Sequence, residues 1–157
     1  MPDALRAEVQ SYLREHHVMT LASHGEEGVW AAAVFYANDG FAIYFLSSPS
    51  SRHGRDMAGN PRVSAAVHED YSDWRAIKGV QMEGSASMLA GKEEEMARRL
   101  YGAKFPIVGK LEHAPASIVK ALAKVRWYKL VPDRLYFIDN SAGFGQRSEI
   151  ALGQAGS

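Results

Sequence analysis

The sequence predicts a mainly β fold, an antiparallel barrel accompanied by short helices. Segments rich in β-forming residues follow one another along the chain, and helical segments are inserted between them singly, without regular alternation. The tripeptide Asn38-Asp39-Gly40 joins two of these segments, and its residues tolerate the positive φ that tight hairpins need. This order is typical of an antiparallel barrel and not of a parallel sheet. The 157 residues are the usual length of one domain, and no repeat or linker divides residues 1–157.

The first third of the chain is predicted to contain one helix and three strands. The helix is indicated by apolar residues that share one helical face, Leu5, Val9, Tyr12 and Leu13. Asp3 is placed to cap this helix, which should end near residues 16–17. The three strands are expected at residues 18–23, 29–37 and 41–47, joined by a turn at 24–28 and by the Asn38-Asp39-Gly40 hairpin. They form a meander.

The rest of the chain is predicted to add strands on both sides of further short helices. A short helix at 51–58 ends at Gly59 before the breaker Asn60-Pro61. Strands are expected at 62–68 and 80–88, with a long loop at 69–79 between them, and helices at 92–101 and 115–124. A last pair of strands, 125–130 and 134–139, is expected to be joined at Val131-Pro132-Asp133.

The composition excludes several classes of function. The 18 basic and 18 acidic residues balance, which argues against a protein that holds nucleic acid or an anionic membrane mainly by charge. Without cysteine there is no thiolate nucleophile, iron–sulfur cluster or thiolate zinc site, so redox chemistry would need an organic cofactor. The six histidines are scattered without metal-ligand spacing, so no metal site is expected. The start resembles no signal peptide and no apolar run could span a membrane, which predicts a cytoplasmic protein.

One segment has the composition of an anion-binding site. Residues 47–55, SSPSSRHGR, leave a predicted strand and enter a short helix. Main-chain N–H groups at a helix start, hydroxyl groups and a guanidinium together suit a phosphate. On residue types alone, the alternative is equally good: Ser50 or Ser51 caps the helix while Arg52 and Arg55 remain solvated.

Three further segments could contact a ligand. Ala31, Ala32 and Ala33 are small enough to let a flat ring approach the strand, although a crowded barrel interior would also require small residues. Gln81 could read a ligand edge with its amide or be an exposed residue of an alternating strand. Near the end of the chain, Phe144 between two glycines could cover a ring, although a loop aromatic more often closes one end of a barrel.

Together these segments resemble the FMN-binding split barrel of the pyridoxamine 5′-phosphate oxidase-like superfamily. The motifs that carry the resemblance are FLSSPSSRH, NPRVSAAV and KGVQMEG, within residues 18–87, with a weaker match in RLYFIDNSAGFGQR. The resemblance implies an antiparallel six-stranded split β-barrel with Greek-key features and flanking short helices. It also implies FMN as the cofactor and a two-fold symmetric homodimer.

The resemblance assigns roles to individual residues. It implies contacts to the FMN phosphate for Ser47, Ser51, Arg52 and His53. It implies that Ala32, Ala33 and Val34 present main-chain groups to the isoalloxazine ring, and that Gln81 reaches the ring from the dimer interface. Phe144 could cover the ring, and Arg147 lies roughly where oxidases of the family carry an arginine near the substrate.

Two positions depart from the family pattern. His53 replaces the usual lysine, which predicts a weaker or pH-dependent partner of the phosphate. Tyr36 replaces a basic residue of the oxidases, which argues against a vitamin phosphate as substrate.

The function implied by the resemblance is that of an FMN-dependent oxidoreductase acting on a small organic or nicotinamide substrate. Because the flavin performs such chemistry while the protein supplies position and electrostatics, no catalytic side chain is assigned. Two alternatives stay open: a flavin-binding or sensing module without turnover, and a barrel that binds another cofactor such as haem or a deazaflavin.

Overall fold

The computed structural model describes residues 2–153, and in this part of the chain six antiparallel strands close into a barrel with a short seventh strand added. The strands are β1 (Val18–Gly25), β2 (Gly28–Asp39), β3 (Ala42–Ser47), β4 (Arg62–His68), β5 (Lys78–Met88), β6 (Arg126–Asp139) and β7 (Arg147–Glu149). The helices are α1 (Pro2–Glu15), α2 (Arg52–Gly59), α3 (Gly91–Lys104), α4 (Pro106–Gly109) and α5 (Ala116–Leu122). None of the helices within residues 2–153 is long and apolar enough to cross a membrane.

The order of the strands confirms the predicted fold class. Neighbours run β3-β2-β1-β4-β5-β6-β7, and an additional pairing between β3 and β6 closes the barrel. All pairings are antiparallel. Three consecutive hairpin-connected strands with the fourth lying beside the first make a Greek key, which here is β4-β1-β2-β3. The mainly β, six-stranded antiparallel barrel and its Greek-key feature are therefore confirmed.

The predicted pair of strands at 125–130 and 134–139 is wrong, because these residues form the single strand β6. β6 pairs with β3 through residues 126–130 and with β5 through residues 128–139. The pairing register with β5 shifts between Glu83 and Gly84, which lie opposite Arg134 and Pro132. A bulge of this kind accommodates a proline that a regular ladder would exclude. The turn signals at Val131-Pro132-Asp133 therefore mark a bulge and not a hairpin.

The barrel interior and one outer side are covered, whereas another outer side is not. Inward residues from all six barrel strands pack with Val9, Tyr12 and Leu13 of α1. A second cluster lies between α3 and the outside of β3 and β6, and it includes Tyr44 and Trp127. On β1 and β2, by contrast, the outer face leaves apolar side chains exposed: Val18, Val29, Ala31, Ala33 and Phe35.

Candidate functional site

The barrel is split between β2 and β3, and this split exposes an edge of β2. β2 pairs with β1 from residue 28 to 35 but with β3 only from residue 36 to 39. The N–H of Tyr36 donates to the main-chain oxygen of His17 at 3.0 Å, so Tyr36 directs its main-chain groups toward β1. Because these groups alternate in direction along a strand, Ala31 and Ala33 direct theirs to the open edge. A planar ligand with hydrogen-bonding edges could therefore continue the sheet beside Ala33.

The three alanines do not share one environment. Ala32 faces inward and packs against the core, so barrel crowding accounts for its small size. Ala31 and Ala33 lie on the exposed outer face. Of the predicted ring contacts, Ala33 directs its main-chain groups to the open edge, whereas Ala32 and Val34 pair theirs with β1. The split thus favours a main-chain contact at Ala33 over contacts at its two neighbours.

The start of α2 lies where β3 ends, and it carries free hydrogen-bond donors. Ser51 is the N-cap, because its Oγ accepts the N–H of Gly54 at 3.1 Å and donates to the carbonyl of Ser48 at 2.6 Å. The N–H groups of Arg52 and His53 have no acceptor among residues 2–153. Two free N–H groups at the positive end of a helix form a site for an anion such as a phosphate. Ser51 therefore caps the helix, and the N–H groups of Arg52 and His53 remain available as hydrogen-bond donors.

Ser47 and His53 form a close pair beside this helix start. Ser47 is only 4% exposed, and its Oγ lies 2.7 Å from His53 Nε2 and 3.3 Å from Ser51 Oγ. Burial lowers the pKa of His53 below its usual 6.5, and the nearby Asp56 only partly opposes this effect. His53 is therefore largely neutral at pH 7, and it acts here as a hydrogen-bonding group.

Arg52 lies at the same helix start but is held by the turn between β1 and β2. Its Nη2 donates to the carbonyl of Glu27 at 3.0 Å, and its guanidinium carbon lies 4.4 Å from the ring centre of Trp30. Its Nε is buried and has no acceptor among the described residues, and the nearest carboxylate oxygen, Oε2 of Glu27, is 3.6 Å away. An unpaired guanidinium donor fits a site that receives an oxyanion.

A buried polar contact fixes the position of α2. Ser23 on β1 donates from Oγ to Oδ2 of Asp56 at 2.7 Å, and both residues are buried. Gly25 is required beside this contact, since a Cβ there would lie 2.1 Å from Oδ1 of Asp56. Sequence reasoning missed Ser23 and Asp56. The available signal was a serine at the inward position that follows Met19 and Leu21, which does not identify its partner.

Gln81 and Arg147 lie together beside Tyr136, and Phe144 lies against Trp74. Gln81 is exposed on β5, next to Tyr136 of β6. The guanidinium of Arg147 lies 4.6 Å from the ring centre of Tyr136. Phe144 is 80% exposed, and its ring centre lies 5.7 Å from that of Trp74. Tyr136 and Trp74 were not predicted as site residues, because nothing in their local sequence distinguishes them from other strand and loop aromatics.

The two groups are separated within one chain. Across the sheet, Ala33 pairs with Thr20, Thr20 with Ala66, and Ala66 with Gln81. Three strand spacings, about 14 Å along the barrel wall, separate Gln81 from Ala33. A flavin ring lying beside Ala33 would therefore not reach Gln81 of the same chain.

Tyr36, noted in the sequence for replacing a basic residue, does not face this surface. It is fully buried, and its hydroxyl donates to the carbonyl of Leu13 at 2.7 Å.

No group of three or more His, Cys, Asp or Glu within residues 2–153 could hold a metal ion. The arrangement thus provides oxyanion donors and a free main-chain edge.

Comparisons with known proteins identify similar chains and folds. Residues 5–139 match the family model of pyridoxamine 5′-phosphate oxidase. A UPF0306 protein of Enterobacter sp. (strain 638) is 31% identical over 143 residues, which are 90% of this chain and 92% of that protein.

Two solved structures are also similar. One is a haem-binding protein of Mycobacterium smegmatis, with a TM-score of 0.68 and 25% identity over 89% of this chain. This chain spans about half of that protein, 55% of its length. The other is HutZ, the haem storage protein of Vibrio cholerae, with a TM-score of 0.65 and 22% identity, covering 82% of this chain and 91% of that one. The second likeness concerns the fold alone.

Proposed function

The chain belongs to the pyridoxamine 5′-phosphate oxidase family, and on that premise we propose that it binds FMN and acts as an oxidoreductase on a small organic or nicotinamide substrate. The observation that carries the proposal is the open edge of β2 beside the start of α2. A phosphate donor set and a free main-chain edge lie next to each other there. FMN carries a phosphate and a planar ring with a hydrogen-bonding edge, so it matches both.

The hydrogen-bonding groups that are free in the structure indicate which residues would hold the cofactor. The N–H groups of Arg52 and His53 and the guanidinium of Arg52 would bind the phosphate, with Ser47 supplying a hydroxyl. The main-chain groups of Ala33 would bind the ring edge. When bound, the flavin supplies hydride and electron transfer. The protein's part is to orient the cofactor and to set the electrostatics around it.

The proposal includes a homodimer in which each site is completed by the second copy. Gln81 lies three strands from Ala33, and Arg147 packs on Tyr136 beside Gln81, so neither residue reaches a ring that lies beside Ala33 of the same chain. A second copy packed on the exposed apolar face of β1 and β2 would bring its own Gln81 group to the first chain's Ala33. The apolar side chains exposed on this face support such packing, since monomeric proteins rarely expose a large apolar patch.

The cofactor proposal is tested with the purified protein. Absorbance and mass of a denatured extract identify any bound cofactor, and the FMN-free protein is then titrated with FMN and with riboflavin. We expect FMN to bind more tightly, and Arg52→Ala to weaken FMN about ten- to a hundredfold while hardly changing riboflavin. Arg99→Ala, which removes an exposed arginine of α3, is the matched control. Equal affinity of the parent for FMN and riboflavin would refute the phosphate assignment.

Turnover is tested separately. An oxidoreductase is expected to accept electrons from NADH or NADPH onto its flavin and to pass them to an acceptor. A protein that binds FMN but shows neither reaction with any acceptor tried would instead be a flavin-binding or sensing module.

Haem binding is a second candidate function. It is favoured by the similarity to the haem-binding protein of Mycobacterium smegmatis over 89% of this chain. The same absorbance measurement separates the two candidates, because haem gives an intense band near 400 nm and flavin gives one near 450 nm, each confirmed by the mass of the extract.

A further inference from the structure

Glu27 lies between the two arginines of the first turn of α2. Its Oε2 is 3.6 Å from Nε of Arg52 and 3.5 Å from Nη2 of Arg55. Nothing in the sequence singled out this glutamate, which stands 25 residues before Arg52 in the β1–β2 turn. A carboxylate thus lies beside the guanidinium groups at the proposed phosphate site.

We infer that Glu27 is an internal competitor of the cofactor phosphate and sets how strongly the site prefers phosphorylated over unphosphorylated flavin. This inference rests on the proposed function. A carboxylate and a phosphate are both oxyanions, and both bind the same guanidinium donors. A phosphate that takes the guanidinium of Arg52 therefore has to displace Glu27 or to share the donors with it, and unphosphorylated riboflavin does neither.

The ion pairs of Glu27 are weak enough for a phosphate to replace them. Its side chain is 62% exposed, and ion pairs between exposed groups are weak. Its carboxylate also leaves Nε of Arg52 without a hydrogen bond. The phosphate would in addition find the free N–H groups of Arg52 and His53, which Glu27 does not use. Competition should thus reduce the affinity for FMN without abolishing it.

The exchange needs no movement of the strands. Arg52 also donates to the main-chain oxygen of Glu27, and that bond holds the turn against α2 irrespective of the carboxylate. Gly28, which follows Glu27, has a φ of 103° and completes the tight turn. The side chain of Glu27 can therefore swing into solvent while its main chain stays in place.

The test compares Glu27→Gln with Glu26→Gln. Glu26 lies in the same turn, is exposed and forms no ion pair among the described residues, so its variant removes the same charge from the same region. Dissociation constants of FMN and riboflavin are measured for both variants and the parent by quenching of flavin fluorescence. We expect Glu27→Gln to bind FMN about three- to tenfold more tightly and riboflavin equally well, with Glu26→Gln changing FMN less than about twofold. Equal effects of the two variants on FMN, or an equal gain for riboflavin, would overturn the inference.

Inorganic phosphate separates this inference from the proposed function. If the parent binds no flavin, the proposed function fails, but thermal denaturation of the flavin-free protein with added phosphate still reports the anion site. A larger phosphate-induced rise in Tm for Glu27→Gln than for Glu26→Gln supports competition by Glu27. An equal rise refutes it. Circular dichroism of each variant without ligand confirms that the barrel is intact.

Discussion

At the scale of single residues, His53 illustrates how burial decides a role that residue type leaves open. A solvated histidine has a pKa near 6.5 and gains charge readily below neutral pH. The partial burial of His53 beside Ser47 lowers its pKa, so the neutral ring predominates at pH 7. The contact of His53 with the FMN phosphate stays a prediction, in which the neutral ring acts as a hydrogen-bonding group at pH 7.

This lowered pKa predicts a flat pH profile for FMN binding. If His53 also stays neutral with FMN bound, raising the pH from 7 to 8 removes no charge from it, and the FMN affinity of the parent should change less than about twofold. His53→Lys introduces a cation over the same range and is expected to bind FMN more tightly. Titrations at pH 7.0, 7.5 and 8.0 measure both slopes. A marked fall of affinity in the parent that His53→Lys does not show would mean that a charged His53 binds the phosphate.

At the scale of elements, Lys104 joins two helices and a strand. It ends α3, and its Nζ donates to the carbonyls of Leu13, at 3.3 Å, and of His16 at the end of α1. Its Nζ also lies 4.2 Å from the ring centre of Tyr36 on β2. Burial lowers the pKa of Lys104 from its usual 10.5 to about 8. The lysine thus satisfies carbonyls at a helix end but does so with a partly desolvated charge.

The lowered pKa of Lys104 predicts that stability rises with pH. Between pH 8 and about 10, the folded protein loses this proton while the unfolded chain retains it, so the unfolded state binds more protons and the free energy of unfolding increases. Because the group is only half-buried, we expect a gain of about 1–2 kcal/mol from pH 7.5 to 9.5. Urea denaturation at both pH values measures this gain in the free energy of unfolding. Lys104→Met should remove the rise, whereas Lys110→Met, at an exposed position, should keep it. The same slope in both variants would contradict the assignment.

The bulge between β5 and β6 depends on Gly84. A Cβ at this position would lie 2.1 Å from the main-chain oxygen of Val131 and 2.7 Å from Cα of Pro132. These are main-chain atoms of the partner strand, so a rotamer change cannot relieve the clash. The close approach of the two strands at the bulge therefore requires glycine.

Gly84→Ala is accordingly expected to destabilise the protein by at least about 2 kcal/mol. Gly59→Ala is the control, since a Cβ at the end of α2 would meet no atom within 4 Å. Urea denaturation of both variants gives the comparison. A Gly84→Ala protein as stable as Gly59→Ala would show that the two strands separate at the bulge with little loss of stability.

At the scale of the whole molecule, the outer face of the barrel carries two incomplete halves of one proposed site. Ala33 and the start of α2 lie on one side of β1 and β4, and the Gln81 group lies on the other. Phe35, two residues from Ala33, is 56% exposed on the outer face of β2. A second copy would both cover this face and complete each site.

This arrangement predicts that dimerisation and FMN binding are lost together. Phe35→Glu places a charge in the proposed interface and is expected to give a monomer whose FMN affinity falls at least about tenfold, with little change in Tm. Met88→Glu is the control, because Met88 is 52% exposed at the end of β5 and pairs with Tyr128 of β6, not with a residue of β1 or β2. Light scattering at micromolar concentration and FMN titration give the two readings. A Phe35→Glu protein that stays dimeric, or a monomeric parent with FMN bound, would contradict the dimer proposal.

The elements that local signals specify were predictable from the sequence. The helix that ends before residues 16–17, the hairpin at Gly40 and the helix that Ser51 caps each depend on residues within one or two turns of chain. β6 was not predictable in the same way. Pro132 and Asp133 are local turn signals, but simultaneous pairing with β3 and β5 keeps the strand continuous and converts those signals into a bulge.

The sequence by itself determined the barrel class and the residue types of the candidate site, because hydrophobic alternation, turn chemistry and a serine- and arginine-rich helix start are local properties. Only the tertiary structure decided how those residues are used. It placed Glu27 against Arg52, buried His53 beside Ser47, and set Gln81 three strands away from Ala33. The first and the last of these depend on which strands and helices the barrel brings together, and the second depends on how deeply the side chain is buried. Distances of this kind depend on strand order and burial, which no local pattern of residues specifies.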